Sequence, residues 1–251
     1  MNPGALIRQL LPSTAVLSGD QDLEEFYALP PARSLRADFV VSIDGAVEIE
    51  GKSRGLGGPA DRAAFMAMRA VADAVLVGAG TARIERYGPV ALSEAVEQRR
   101  LARGQEPAPP LVVVSRRGLL GSDDRVFLNG YRPIVVTTAA ALQEHPELED
   151  LAHVIVCGED EVDLPKSIDH LVGMGYERLL CEGGPALLHS LLSHDLVDEM
   201  CVTFSPVIAG AHHLLLSGDK PLGQPSRFRL EGLLEGDGLL LARYGRDRDR
   251  R

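Results

Sequence analysis

Along the chain, short apolar runs alternate with segments of helical spacing. Residues 36–42 alternate and are rich in β-formers, and 74–77, 111–115, 134–137, 154–157 and 179–181 are apolar runs of strand length. Between them lie helix patterns. One covers 61–72 behind Pro59, and a second covers 93–103, with Ser93 as its cap, Glu97 in its first turn and Gly104 as its stop. A short one starts at Ala139 and halts at Pro146, another spans 165–174, and the last follows Pro185 through 186–192. Strands alternating with helices predict an α/β fold whose mostly parallel sheet is flanked by helices on both faces. Residues 199–204 and 239–244 are β-like with no helix between them, and they are predicted as antiparallel edge strands near the C-terminus. Residues 1–34, broken by Pro12, Gly19 and Pro30-Pro31, read as an irregular N-terminal arm in which the acidic stretch 20–25 starts a solvated helix. One domain over 35–245 follows, and the charge-alternating residues 246–251 read as a disordered tail.

Composition narrows the class. A net charge of −10 and a pI near 5.2 argue against nucleic acid and anionic membrane as partners. Cys157, Cys181 and Cys201 each end or interrupt an apolar run, so they are expected as buried free thiols of a reducing compartment. Their spacing matches no metal site, and no metal is expected. The mildly apolar stretch 5–17 is broken by Arg8 and Pro12, and no run approaches the roughly 20 residues of a membrane span. A cytoplasmic protein is expected.

The chemistry gathers where strands end, the edge at which open α/β sheets bind ligands. Glu182-Gly183-Gly184-Pro185 turns sharply off a strand into a helix whose first amide groups and dipole favour an anion. Gly78-Ala79-Gly80-Thr81 repeats the arrangement, without the third glycine of a dinucleotide fingerprint. Together Gly78, Gly80, Thr81, Gly183 and Gly184 supply backbone donors for a pyrophosphate. Ser115-Arg116-Arg117 follows another strand with a hydroxyl and two guanidiniums, suited to the 2′-phosphate of NADPH. Asp44 and Glu182 are carboxylates beside apolar strand ends, where desolvation suits them to proton chemistry or to ligand N–H groups; either equally reads as an ordinary turn residue. Arg69, on a helix with apolar neighbours, points inward to an anion or snorkels at the surface. His212-His213, in a turn after Pro206, reads as structural or exposed.

Several blocks, in order and in register from residue 35 to about 215, resemble a known family. They are Ser42-Ile43-Asp44-Gly45, Gly51-Lys52-Ser53, Arg69-Ala70 with Asp73-Ala74 and Val77-Gly78-Ala79-Gly80-Thr81, Val113-Val114-Ser115, Glu182-Gly183-Gly184-Pro185, Leu196-Val197-Asp198-Glu199 and Pro206-Val207-Ile208-Ala209-Gly210. The resemblance is to the reductase (C-terminal) domain of bacterial bifunctional riboflavin-biosynthesis proteins, a pyrimidine reductase family with a dihydrofolate-reductase-like fold. It implies hydride transfer from NADPH to the ribosyl C1′ of 5-amino-6-(5-phosphoribosylamino)uracil, giving the ribityl product. It also implies that Gly78, Thr81, Ser115 and the helix start at Gly184, Pro185, Ala186 and Leu187 bind the cofactor, and Val40 is counted with them. Ser53, Arg69 and Glu182 would contact substrate, Asp44 would lie by the reacting ribose, and the family suggests a homodimer, as do the apolar strands 199–204 and 239–244 if they are edges. Two departures shape the expectation. The family's block with an arginine for the substrate phosphate reads Glu85-Arg86-Tyr87-Gly88-Pro89-Val90-Ala91-Leu92 here, which leaves Arg86 as a substitute. The deaminase half has no counterpart, which suggests a stand-alone reductase, a relative turned to a pterin such as dihydrofolate, or a nucleotide-binding protein without catalysis.

Overall fold

A computed structural model describes residues 6–30, 32–210, 213–216, 218 and 221–248. The chain opens with strands β1 (Ile7–Leu11) and β2 (Ala15–Leu17) and helix α1 (Asp20–Phe26), then β3 (Ser34–Ser42), α2 (Pro59–Val71), β4 (Ala74–Gly78) and α3 (Ala79–Ile84). Helix α4 (Glu94–Ala102), β5 (Leu111–Val114), β6 (Ile134–Thr137), α5 (Ala139–Glu144), α6 (Leu148–Leu151) and β7 (His153–Val156) follow. Then come α7 (Leu164–Gly173), β8 (Arg178–Cys181), α8 (Pro185–Ser193), β9 (Glu199–Ser205), β10 (Phe228–Gly236) and β11 (Leu239–Arg246).

Among the described residues these strands form one sheet, ordered β2-β1-β10-β11-β9-β3-β8-β4-β5-β6-β7. Every neighbouring pair from β9 across to β7 is parallel, and β11, β10, β1 and β2 continue it antiparallel. The expected mixed, mostly parallel sheet is therefore present. Its central strands read as unbroken apolar runs because both faces are covered. On β4, Val75 and Val77 pack with Ala64, Met68 and Val71 of α2, while Ala74 and Leu76 pack on the other face with Ile168 and Leu171 of α7 and Leu188 and Leu191 of α8. Each such aliphatic side chain contributes about 1.5–3 kcal/mol on burial.

Four expectations change. Residues 7–26 are not an irregular arm: β1 pairs with β10 and β2 with β1, contacts no local pattern announces. Strand β9 lies parallel to β3 and antiparallel to β11, so 199–204 is interior, and β11 lies between β9 and β10. Neither is an edge, and the edge argument for a homodimer falls with them. The end of the chain is tied down through Arg248: the Arg246 amide donates to the Asp198 carbonyl at 2.7 Å, and Arg248 pairs with Asp198 at 2.6 Å. Residues 249–251, the rest of the expected tail, lie outside the described residues. Finally, Ser93 precedes α4 but makes no side-chain cap; its carbonyl accepts from Val96 and Glu97 instead. The three cysteines are free and buried, as expected. No helix among the described residues is long and apolar enough to cross a membrane.

Candidate active site

The C-terminal ends of β3, β4 and β8 open into a cleft of about 1200 Å³, bounded by α2, by the 48–58 loop and by the starts of α3 and α8. On the sheet side, Gly183 has a φ of +107° and its neighbour Gly184 comes against α3 so closely that a Cβ there would meet the Thr81 hydroxyl at 2.2 Å. Only glycine permits that backbone and that approach. The Gly78 amide donates to the Gly183 carbonyl at 2.8 Å, which locks the two turns together. Helix α8 has no side-chain cap and Pro185 occupies its first turn, so the amides of Ala186 and Leu187 have no partner inside the helix. Both residues line the cleft, with Gly78, Gly80, Thr81, Gly184, Pro185 and Val40. This donor set suits a dinucleotide pyrophosphate.

The opposite wall is ionic. Glu182 is held side-on by Arg69, with Nε and Nη2 donating to its two oxygens at 2.7 Å each. Arg69 lies 4.1 Å over the Phe65 ring and 5.7 Å from that of Tyr87. Burial alone would lower the Arg69 pKa, but the Glu182 carboxylate overrides it and holds the guanidinium charged. Burial, then the Glu182 charge, pushes the Tyr87 phenol well above its usual range. Arg69 thus neither snorkels nor waits for an anion. Two further carboxyls line the cleft, Asp38 from β3 and Asp61 from α2, and sequence reasoning passed over both. Asp38 sits inside an otherwise β-forming run, and only the strand's alternation, which sets it opposite Leu35, Ala37 and Phe39, marks it. Burial raises its pKa well above the usual carboxylate value, Asp61 and Glu182 add to the shift, and Arg36 and Arg69 oppose it. Burial also raises Asp61, offset by a hydrogen bond with Thr203. A carboxyl whose pKa is raised keeps its proton to higher pH and can donate a hydrogen bond or a proton.

The remaining expected site residues divide. Ser53, Arg86, Arg69 and Glu182 share this cleft with the glycine turns. Asp44 does not line it: its carboxylate accepts from the Ser42 hydroxyl at 2.5 Å and from the amides of Ala209 and Gly210 at 3.0 and 2.8 Å. It closes the turn after β3. Ser115, Arg116 and Arg117 lie one strand beyond Gly78, at the end of β5, and outside the lining. Ser115 is buried, with its amide on the Val136 carbonyl, and Arg116 pairs with Glu161 at 2.7 Å. Of the histidine pair, His212 lies outside the described residues, and His213 lines the cleft and meets Glu48 at 2.6 Å.

Residues 33–238 match the family model described as the RibD C-terminal domain. The chain belongs to that family. Among curated proteins, this chain is 33% identical over 144 residues to the 2,5-diamino-6-ribosylamino-4(3H)-pyrimidinone 5′-phosphate reductase of Archaeoglobus fulgidus, covering 57% of this chain and 66% of the relative. The enzyme of the same name from Methanothermobacter thermautotrophicus is 32% identical over 172 residues, 68% of this chain and 76% of the relative. The crystal structure of a pyrimidine reductase-like protein from Corynebacterium diphtheriae superposes with a TM-score of 0.81 at 28% identity, over 90% of this chain and 99% of that one.

Proposed function

We propose that the protein is an NADPH-dependent reductase that converts a phosphoribosylaminopyrimidine to its ribityl form, the riboflavin-biosynthesis step. The observation that carries this is a single cleft in which two interlocked glycine turns and the amides of a helix start face an arginine-clamped glutamate and two carboxyls whose pKa is raised by burial. When bound, the nicotinamide supplies a hydride for C1′. Opening the ribosyl ring breaks the C1′–O4′ bond and leaves a C1′=N iminium, which needs one proton at O4′. Asp38 and Asp61 are the carboxyls of the lining that can give it, and water restores the proton afterwards. Glu182, fixed by Arg69 and Tyr87, is a rigid acceptor for N–H groups of the pyrimidine. Asp44, engaged in its turn, shapes the loop beside the cleft. Preference for the 2′-phosphorylated cofactor would rest on Arg117, which has no ion pair among the described residues, beside Ser115.

The same carboxyls would also receive the N–H groups of a pterin, so the test carries both substrates. Purified protein is mixed with NADPH or NADH and, separately, with the diaminopyrimidinone phosphate, its uracil counterpart and dihydrofolate. Nicotinamide absorbance is followed and the product is weighed by mass spectrometry. Turnover of a phosphorylated pyrimidine, faster with NADPH, is expected. Turnover of dihydrofolate alone would make it a pterin reductase, and no turnover would leave a nucleotide-binding protein. A homodimer also belongs to this reading. Phe204, Leu230 and Leu240 are exposed apolar residues on β9, β10 and β11, and Leu240 lies directly opposite Phe204 in register, so a second copy would cover them.

A further inference from the structure

We propose that Arg54 and Arg86 form a two-arginine clamp for the phosphate monoester of the substrate, a role that rests on the reductase reading above. A phosphate in this cleft needs cations, and the residue with the best buried position, Arg69, is committed to Glu182. Leu92 stands where the resemblance would put an arginine. Arg54, Arg62 and Arg86 also line the cleft, and none of them makes an ion pair among the described residues. Elsewhere even exposed arginines of this acidic chain are mostly taken, as Arg8 is by Glu235 and Arg33 by Asp169.

Two features single out Arg54 and Arg86. The Ser53 amide donates to the Glu85 carboxylate at 2.7 Å, so the two arginines are the immediate neighbours of the two residues that tie the 48–58 loop to the end of α3. The second feature is the backbone at Arg86. Helix α3 ends in a Schellman turn: the Tyr87 amide reaches the Ala82 carbonyl at 2.8 Å, the Arg86 amide reaches Arg83 at 3.2 Å, and Arg86 has a φ of +58°. Helices α4 and α7 close with the same two bonds and place Gly104 and Gly175 at that position, the residue the conformation favours. Helix α8 uses Asp195 there, and its carboxylate pairs with Arg246 and Arg248. Of these four turns, only the one at α3 carries a side chain in a left-handed position without an ion-pair partner among the described residues. An arginine that the backbone disfavours, facing a cleft with its guanidinium unpaired, is suited to a ligand anion.

The variants are Arg86→Gly, which the backbone accepts, Arg54→Gln, the pair combined, and Arg62→Gln for comparison. Calorimetric titration with ribose 5-phosphate, ribose and adenosine 2′,5′-bisphosphate separates the possibilities. We expect wild type to bind ribose 5-phosphate over ribose, the double variant to weaken it by about 30-fold, and the bisphosphate to bind both proteins alike. Equal ribose 5-phosphate affinity in wild type and double variant overturns the clamp, as does a loss confined to Arg62→Gln. A parallel loss of the bisphosphate assigns the arginines to the cofactor and overturns it too. A protein that holds ribose 5-phosphate through this pair yet reduces only dihydrofolate retains the clamp and removes the riboflavin-pathway reading.

Discussion

Asp38 shows how a single residue's environment overrides its intrinsic chemistry. It sits on a strand buried on both sides, with Asp61 of α2 and Glu182 after β8 opposing its ionisation more than Arg36 and Arg69 favour it. The folded state therefore binds its proton more tightly than the unfolded chain does. Such a group stabilises the fold fully below its unfolded pKa, near 3.8, and that contribution drains away as pH rises toward the higher folded value. Asp38→Asn keeps the shape and the neutral state and removes the titration. Thermal unfolding of both proteins from pH 4 to 8 is expected to show the variant gaining on wild type as pH rises; a constant difference would contradict a raised Asp38 pKa. Asp61 titrates in the same direction, so the comparison is between the two proteins at each pH and not of the wild-type curve alone.

At the scale of elements, the cleft depends on how α2 is held, because Asp61, Phe65 and Arg69 all reach the cleft from it. Its C-terminal carbonyls have no partner within the helix. Arg100, from α4, takes that role from a fully buried position: its Nη1 donates to the carbonyls of Ala70 at 2.9 Å and Ala72 at 2.7 Å, and its Nε to that of Glu106 at 2.8 Å. Burial lowers its pKa to about 10, which leaves it cationic at neutral pH and correctly signed for a helix C-terminus. Replacing it with methionine keeps bulk but strands those carbonyls, and a loss of about 2–4 kcal/mol is expected in urea unfolding. A loss under about 1 kcal/mol would show that water or a rearranged Arg103, which already reaches the Ala70 carbonyl at 2.9 Å, replaces it.

Across the whole molecule, helices cover both faces of the parallel half of the sheet, while the antiparallel half leaves Phe204, Leu230 and Leu240 exposed. Large exposed apolar side chains brought together on a sheet favour a partner surface. Sedimentation at micromolar concentration is expected to give a dimer, and Leu240→Glu is expected to shift it to monomer. A wild-type monomer would remove the proposal.

The sequence by itself determined what depends on local order. Apolar runs of strand length announced β4 to β8, Pro59 and Pro185 announced the starts of α2 and α8, and the two glycine turns marked the donor half of the cleft. Tertiary structure decided what depends on residues far apart in the chain. The pairing of β1 with β10 joins segments more than 200 residues apart, and neither strand alternates clearly enough to be seen alone. Whether Arg69 faced solvent, an anion or Glu182 turned on the packing of α2 beside the end of β8, 113 residues on. By type and position Asp44 looked like a possible acid or an ordinary turn residue, while Asp38 was passed over inside its strand. The fold surrounds Asp44 with amide donors in a turn and sets the half-buried Asp38 at the cleft near other carboxyls, because charge environment is set by three-dimensional neighbours, which residue type alone does not encode.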